Sequence, residues 1–256
     1  MNLGLHGKVA LITGASQGIG LEIARSLADE GVVCVLLARD EAKLIKAQST
    51  LSGVGHNIRV LDILDGVAID SVVGNLMDQY EFDICIHNVG GTLEVKNPLA
   101  SKGDWAKVWD FNVGNAIHLN NLLIPSMQKK GFGRIVHVSS ISGESLRGSG
   151  PYAAAKAYLN AYIKILGRSL AQENIVVSGV LPGAVYAKGG HWDEESPHNK
   201  IDVTEFFRKK EDFLRHHHAI GRLGRAEEIA PWVVFLCSNQ ASFAVGALIP
   251  IDGGTM

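Results

Sequence analysis

The chain reads as an α/β protein built on a doubly wound parallel sheet, and three observations predict this. Short apolar runs with little polar alternation recur along the 256 residues, as in strands covered on both faces. Between most of them lie helix-patterned stretches of about ten residues or more, the alternation that βαβ units with right-handed crossovers require. The first apolar run also ends in a glycine-rich turn that leads straight into an amphipathic stretch.

Taken in order, Lys8–Thr13 (KVALIT) is the first strand, and Leu21–Glu30 after the glycine turn is the first helix. Gly31 stops that helix. Val32–Ala38 is the second strand, and Glu41–Leu51 is a helix ending near Gly53. Ile58–Leu61 and Asp83–His87 are the third and fourth strands, with a helix over Val67–Tyr80 between them. Trp105–Lys130 is a long helical stretch, Gly133–Val138 a fifth strand, Pro151–Gln172 a helix and Ile175–Leu181 a sixth strand. A polar, charged excursion with a helical middle follows over residues 184–225. Ala226–Ser238 returns to helix, and Ala247–Ile251 is the last strand before Asp252-Gly253-Gly254. No repeat, low-complexity tract or linker interrupts the pattern. One domain over residues 1–256 is expected, with the excursion at about 186–225 inserted before the last helix and strand.

Hydrophobic residues make up 46% and charged residues 20% of the chain, enough for a sizeable core. A formal net charge of −2 gives no reason to expect nucleic acid or an anionic membrane as partner. Cys34, Cys85 and Cys237 sit singly in apolar runs and read as small buried hydrophobes in a reducing compartment. The N-terminus lacks a basic region followed by a long apolar stretch, and no apolar run is long enough to span a bilayer. A soluble, cytoplasmic protein is expected.

Two constellations carry chemistry. The first is Thr13-Gly14-x-x-x-Gly18-x-Gly20, where a strand hands over to a helix. Glycines there permit a tight turn and let backbone N–H groups approach a pyrophosphate at a helix N-terminus, although a tight βα turn without a ligand has the same composition. At the end of the second strand an acid would hold a ribose 2′-hydroxyl, whereas a base suits a 2′-phosphate. The chain has Arg39, whose guanidinium fork fits a phosphate, followed by Asp40. NADP(H) is therefore favoured over NAD(H), with a solvated Arg39 capped by Asp40 as the competing reading. Gln17 is not the second base that would strengthen the case. Asp62, at the end of the third strand, suits the adenine amino group or a turn.

The second constellation is Ser139-Ser140 at the end of the fifth strand, with Tyr152 and Lys156 further on. Tyr152 and Lys156 at i and i+4 share a helix face. An adjacent cation favours the phenolate and brings proton transfer toward neutral pH, and Ser140 could hold a substrate oxygen against that phenol. A solvated helix face carries the same spacing by chance.

These features together resemble the short-chain dehydrogenase/reductase family over essentially the whole chain, and within it the bacterial 3-oxoacyl-carrier-protein reductases. The landmarks come in the family's order: TGASQGIG at 13–20, HNVG at 87–90, Asn112, Ser140, Tyr152-x-x-x-Lys156, and Pro182-Gly183. The resemblance implies a Rossmann-like fold and a tetrad. Tyr152 exchanges a proton with the substrate oxygen, and Lys156 lowers the phenol's pKa and bonds the nicotinamide ribose. Ser140 orients the substrate oxygen, and Asn112 holds a water linking Lys156 to solvent. It also implies a cofactor set of Gly14, Ser16, Gln17, Gly18, Ile19, Gly20, Arg39, Asp40, Asp62, Ile63, Asn88, Gly90, Tyr152, Lys156, Pro182, Gly183 and Val185. No metal is implied. The helices at 105–130 and 152–172 match those that relatives use to form dimers and tetramers.

The chain departs from the family at His87, commonly Asn, at Val89, commonly Ala, and at Ala187, often a Thr that touches the nicotinamide. The Ser140–Tyr152 interval is one residue shorter than in many relatives. The excursion matches the family's substrate lid. His191 and Trp192 within it are candidates to meet substrate, Trp192 equally to anchor the lid. His216-His217-His218 reads as a solvated lid face, because consecutive helical residues point apart and no carboxylate or Cys joins them at ligand spacing. Trp105 and Trp109 at i and i+4 read as core or a subunit contact. The expected activity is hydride transfer between NADP(H) and a carbonyl or secondary alcohol, such as a 3-oxoacyl thioester or other polar ketone. Competing readings are an NAD(H)-dependent dehydrogenase of a polar alcohol or sugar derivative, a non-catalytic dinucleotide sensor, and a nucleotide-sugar epimerase or dehydratase.

Overall fold

The computed structural model describes residues 2–146, 148–187, 215 and 218–255. Seven strands form one parallel sheet: β1 (Val9–Thr13), β2 (Val33–Ala38), β3 (Asn57–Val60), β4 (Ile84–His87), β5 (Gly133–Val138), β6 (Ile175–Pro182) and, last in the chain, β9 (Leu248–Ile251). Their spatial order is β3-β2-β1-β4-β5-β6-β9. A two-residue ladder, β7 (Val185–Tyr186) with β8 (Gly224–Arg225), lies beside it. The helices are α1 (Gly18–Asp29), α2 (Glu41–Gln48), α3 (Gly66–Met77), α4 (Lys102–Trp109), α5 (Asn115–Lys130), α6 (Ser142–Ser145), α7 (Gly150–Leu170) and α8 (Ala226–Cys237).

The near-continuous hydrophobicity of the strands has a direct cause. Ala10 and Ile12 of β1 pack with Ile23 and Leu27 of α1 and Val233 of α8, while Leu11 between them packs with Val73 of α3 and Leu119 and Leu123 of α5. Successive side chains leave opposite faces of a strand, and both faces are roofed by helices. Burying one such Leu or Ile is worth about 1.5–3 kcal/mol, so these two layers hold the strand ends in place. At the sheet's opposite end, the buried Asp83 carboxylate accepts from Val9 N–H at 2.9 Å, Lys8 Nζ at 3.2 Å and Lys130 Nζ at 2.6 Å. That cluster ties the starts of β1 and β4 to the end of α5.

Three local differences from the sequence expectation bear on the site. Helix α1 starts at Gly18 rather than Leu21, because the glycine turn itself supplies its first turn. The stretch 105–130 is two α-helices joined through a π-helical turn, Asp110–Gly114. Insertions of this kind frequently fall at functional positions, and this one contains Asn112. The four-residue α6 directly after Ser140, in a Ser- and Gly-rich segment, has no sequence periodicity to announce it. The three cysteines are free and buried, as expected. Among the described residues no helix is long and apolar enough to cross a membrane, and no group of His, Cys, Asp and Glu is placed to hold a metal ion.

Candidate active site

The connection after β1 runs outward to β2 and β3, and the chain then returns to β4 on β1's other side. This reversal opens a crevice at the carboxyl ends of the strands. Thr13 closes its floor. Its hydroxyl donates to Ile86 O at 3.2 Å and accepts from Asn88 N–H at 3.0 Å, so β1 and β4 are fastened where they begin to part. Asn88 Nδ2 donates to the carbonyls of Thr13 and Gly14 at 3.2 and 3.1 Å, so this side chain braces the glycine turn from behind. A methyl group at Gly20 would run into Gly14 O and Asn88 Nδ2. Only glycine lets α1 approach the turn so closely. The first turn of α1 carries no acidic residue, and Gln17 provides no side-chain cap. Its free N–H groups therefore face the crevice, where an anion would satisfy them.

One cavity of about 470 Å³ runs along this crevice. Of the positions read from the sequence as cofactor or catalytic groups, all line it except Gly20 and Asn112, which stand behind its wall. At one end lie Arg39, Asp40 and Asp62. Arg39 makes no hydrogen bond or ion pair with any described residue. The two acids expected to meet the cofactor line the cavity and are also engaged locally. Asp40 Oδ1 caps α2 by accepting from Lys43 N–H at 2.9 Å, and Asp62 Oδ1 accepts from Leu64 N–H at 3.0 Å in a turn. A short polar side chain at a helix start or turn satisfies nearby backbone donors first. Thr13 and Lys43, neither singled out from the sequence, also line the cavity.

At the other end the carboxyl end of β5 and the first turns of α7 bring Ser140, Tyr152 and Lys156 together. Ser139 Oγ donates to Asn160 Oδ1 at 2.5 Å, facing α7, whereas Ser140 lines the cavity with Tyr152, and its hydroxyl pulls the phenol's pKa down. Lys156 is 2% exposed, and its ammonium donates to Val138 O at 3.0 Å. Burial pushes its pKa down to about 7. The sequence expectation has this ammonium lowering the Tyr152 pKa; in the fold other groups act on the phenol. Nζ lies 5.7 Å from the ring centroid, burial raises the phenol's pKa, and the group that pulls it back is Ser140. Tyr152 is consequently held as a protonated acid at neutral pH.

The Asn112 side chain is engaged with the backbone around it. Its Oδ1 accepts from Gly91 N–H at 3.0 Å, while Nδ2 donates to Gly91 O at 2.8 Å and Val108 O at 2.8 Å. The amide thus clamps the segment after β4. A methyl group at Gly90 would sit 2.7 Å from Asn112 Oδ1 and 2.9 Å from Lys156 Nζ. Gly90, Asn112 and Lys156 therefore meet at one point, and only glycine leaves room for them.

Beneath Lys156, His87 of β4 and His137 of β5 stack at 4.4 Å between centroids, 16° apart, both buried. His87 meets Asn120 Oδ1 through Nε2 at 2.8 Å. His87 Nδ1 and both ring nitrogens of His137 have no protein partner. Burial lowers the His87 pKa to about 4 and that of His137 well below its ordinary value. Both rings are neutral in the fold and would charge on unfolding in acid. Since the unfolded chain binds the extra protons below about pH 6.5, stability should fall as pH drops from there toward 4. For His87 the loss is about 2 kcal/mol between pH 7 and pH 5, and His137 adds to it in the same direction. Urea unfolding of His87→Asn should lose about that much less over this interval than the parent protein. An identical loss in both would remove His87 as a source.

Within the polar excursion His191, Trp192, His216 and His217 lie outside the described residues. His218 does not share the solvated surface expected of the triplet. It is 6% exposed and bridges to Thr255, with Nδ1 3.1 Å from Thr255 Oγ1, because the chain end folds over it. Ala187 lines the cavity and offers no hydroxyl where relatives often have Thr. Trp109 is partly exposed and meets Tyr158 edge-on at 5.7 Å, a surface pair rather than core.

A glycine cradle at the switch point of a doubly wound sheet, sharing a groove with Ser140, Tyr152 and Lys156, defines a dinucleotide-dependent oxidoreductase. A model of the family described as enoyl-(acyl carrier protein) reductase matches residues 14–256. The 3-oxoacyl-(acyl-carrier-protein) reductase FabG of Salmonella typhimurium is 31% identical over 256 residues, covering 98% of each chain. Dehydrogenase/reductase SDR family member 4 of Mus musculus is 30% identical, over 98% of this chain and 88% of its own. Among solved structures, L-sorbose reductase from Gluconobacter frateurii, complexed with NADPH and L-sorbose, superposes with a TM-score of 0.90 at 32% identity, covering 100% of this chain and 98% of its own. A 7α-hydroxysteroid dehydrogenase complexed with NADH gives a TM-score of 0.85 at 28% identity, covering 100% and 96%. The chain belongs to the short-chain dehydrogenase/reductase family, and is an NAD(P)-dependent enzyme of carbonyl and alcohol oxidoreduction.

Proposed function

We propose that the protein uses NADP(H) to reduce a polar ketone to a secondary alcohol, with Tyr152 as the acid, Ser140 as the oxygen-binding group and Lys156 and Asn112 in support. The observation that carries this reading is a single groove with an unpartnered guanidinium, Arg39, at its adenosine end and the Ser140–Tyr152 pair at its reactive end. The groove fits a dinucleotide: α1 leaves donors open, and Gly20 and Gly90 keep its wall clear of side chains. When bound, the nicotinamide supplies the hydride.

The residues of the chain do the rest. The Ser140 hydroxyl and the Tyr152 phenol converge on one carbonyl oxygen, and the phenol donates its proton as that oxygen gains charge. Lys156, buried behind them, supplies positive charge to the same end of the groove and a donor for the nicotinamide ribose. Pro182, Gly183 and Val185 form the wall after β6 on which the nicotinamide would rest. In the same reading residues 1–256 act as one domain in the cytoplasm, and the segment at about 186–225 is the substrate lid. Copies of the chain pair through α4, α5 and α7, whose surface carries Trp109, Tyr158 and Ile165 exposed. A 3-oxoacyl thioester and a keto-sugar are the substrate types that the relatives' names suggest.

Absorbance at 340 nm, followed with NADPH and NADH against acyl thioesters, keto-sugars and simple ketones, tests this. The expected result is turnover of at least one polar ketone, faster with NADPH at limiting cofactor. No turnover with any member despite tight dinucleotide binding would instead make the protein a sensor, and a preference for NADH would overturn the Arg39 assignment.

A further inference from the structure

We propose that Lys43, on the first turn of α2, is the second cation of a 2′-phosphate subsite that it forms with Arg39. The inference rests on the NADP(H) reading above and adds to it a residue drawn from a different element. Lys43 sits three residues beyond Asp40, and its backbone N–H is held by the Asp40 carboxylate at 2.9 Å. Leu44 and Ala47 anchor α2 in the core beside α1 and β2, so the position of Lys43 over the groove is set by packing and not only by its own contacts. Its ammonium reaches across to the start of α1 and donates to Gln17 Oε1 at 2.9 Å. Gln17, Arg39 and Lys43 all line the same end of the cavity.

The charges there favour an added phosphate. An acid holding ribose hydroxyls would disfavour a 2′-phosphate, but Asp40 and Asp62 each have an oxygen committed to a backbone N–H. The cations are less committed. Arg39 has no partner among the described residues, and Lys43 meets only a neutral amide oxygen in the contacts shown. A 2′-phosphate would take the planar fork of Arg39 on one side and the point charge of Lys43 on the other, as the two side chains typically divide such a task. In exchange Lys43 gives up a bond to a neutral amide oxygen for one to an anion, in which both partners are charged.

The test compares kcat/KM for NADPH and NADH in the parent enzyme, Arg39→Ala, Lys43→Met and Lys43→Arg. It also compares the Kd values of adenosine 2′,5′-bisphosphate and AMP by calorimetry. Lys43→Met is expected to lower the NADPH-to-NADH ratio about tenfold, the effect of one partly exposed charge-assisted bond. It should weaken the bisphosphate relative to AMP by a similar factor, and Lys43→Arg should keep most of both preferences. If the parent prefers NADPH and Arg39→Ala erodes that preference while Lys43→Met leaves both ratios unchanged, Lys43 is excluded and the cofactor reading stands. Equal losses for both cofactors and both nucleotides in Lys43→Met would show a merely structural role and also overturn the proposal. A parent enzyme that prefers NADH removes the cofactor reading, and this subsite with it.

Discussion

Tyr152→Phe is expected to lower kcat by about 10²–10⁴-fold, the usual worth of a positioned general acid, while the Kd for the dinucleotide changes by less than about threefold. The ring packs among the apolar residues roofing one face of the sheet, and Phe keeps that shape, so the fold and the cofactor groove should survive. What disappears is one hydroxyl, held by Ser140 and kept protonated by burial. Its loss leaves a developing alkoxide without a proton donor and with Ser140 as its remaining hydroxyl. Ser140→Ala should cost less, on the order of 10²-fold for one lost donor, because the acid remains. Single-turnover rates with fluorescence titration of NADPH check both statements. Near-normal turnover by Tyr152→Phe would end its role as the acid.

Much of this was legible in the sequence for physical reasons that can be named. The strands announced themselves because helices cover both faces, so residues such as Ala10, Leu11 and Ile12 are all apolar, whichever way they point. The glycine turn was legible because close approach of α1 to β1 tolerates no side chain at Gly20. What escaped was everything set by contact between distant segments. Lys43 meets Gln17 only because α2, packed on β2 and β3, sets its side chain within reach of the residue that precedes α1, 26 residues away in sequence. The engagement of Asn112 with Gly91 depends on a π-helical turn that carries no periodicity of its own. The i, i+4 spacing placed Tyr152 and Lys156 on one face but said nothing of how deeply that face is buried. Burial decides the sign of the phenol's shift, and it runs opposite to the one that proximity of charges suggested.

Lys156→Met is expected to abolish useful turnover and, at the same time, to make the protein more stable. The two results have one cause. An ammonium 2% exposed is held by burial at a pKa of about 7, against 10.5 for the group in water. The folded pKa is depressed, so between pH 7 and pH 10.5 the unfolded chain binds a proton that the folded one has lost, and stability due to this group rises with pH across that window. At pH 7 the folded state is disfavoured by about 4 kcal/mol relative to a neutral side chain, and at pH 9 by about 2 kcal/mol. Met fills nearly the same volume. Against this gain stands the Val138 carbonyl left without its donor, a cost of about 1–3 kcal/mol that does not vary with pH. The excess stability of Lys156→Met over the parent should therefore shrink by about 2 kcal/mol from pH 7 to pH 9. Comparing the two proteins removes the opposing slope from the buried thiols of Cys34, Cys85 and Cys237, whose pKa values are raised in both. Urea unfolding at the two pH values measures the difference directly. A difference independent of pH would mean that Lys156 keeps its ordinary pKa in the fold. The enzyme then would not carry, as a standing cost in stability, the charge that its chemistry requires.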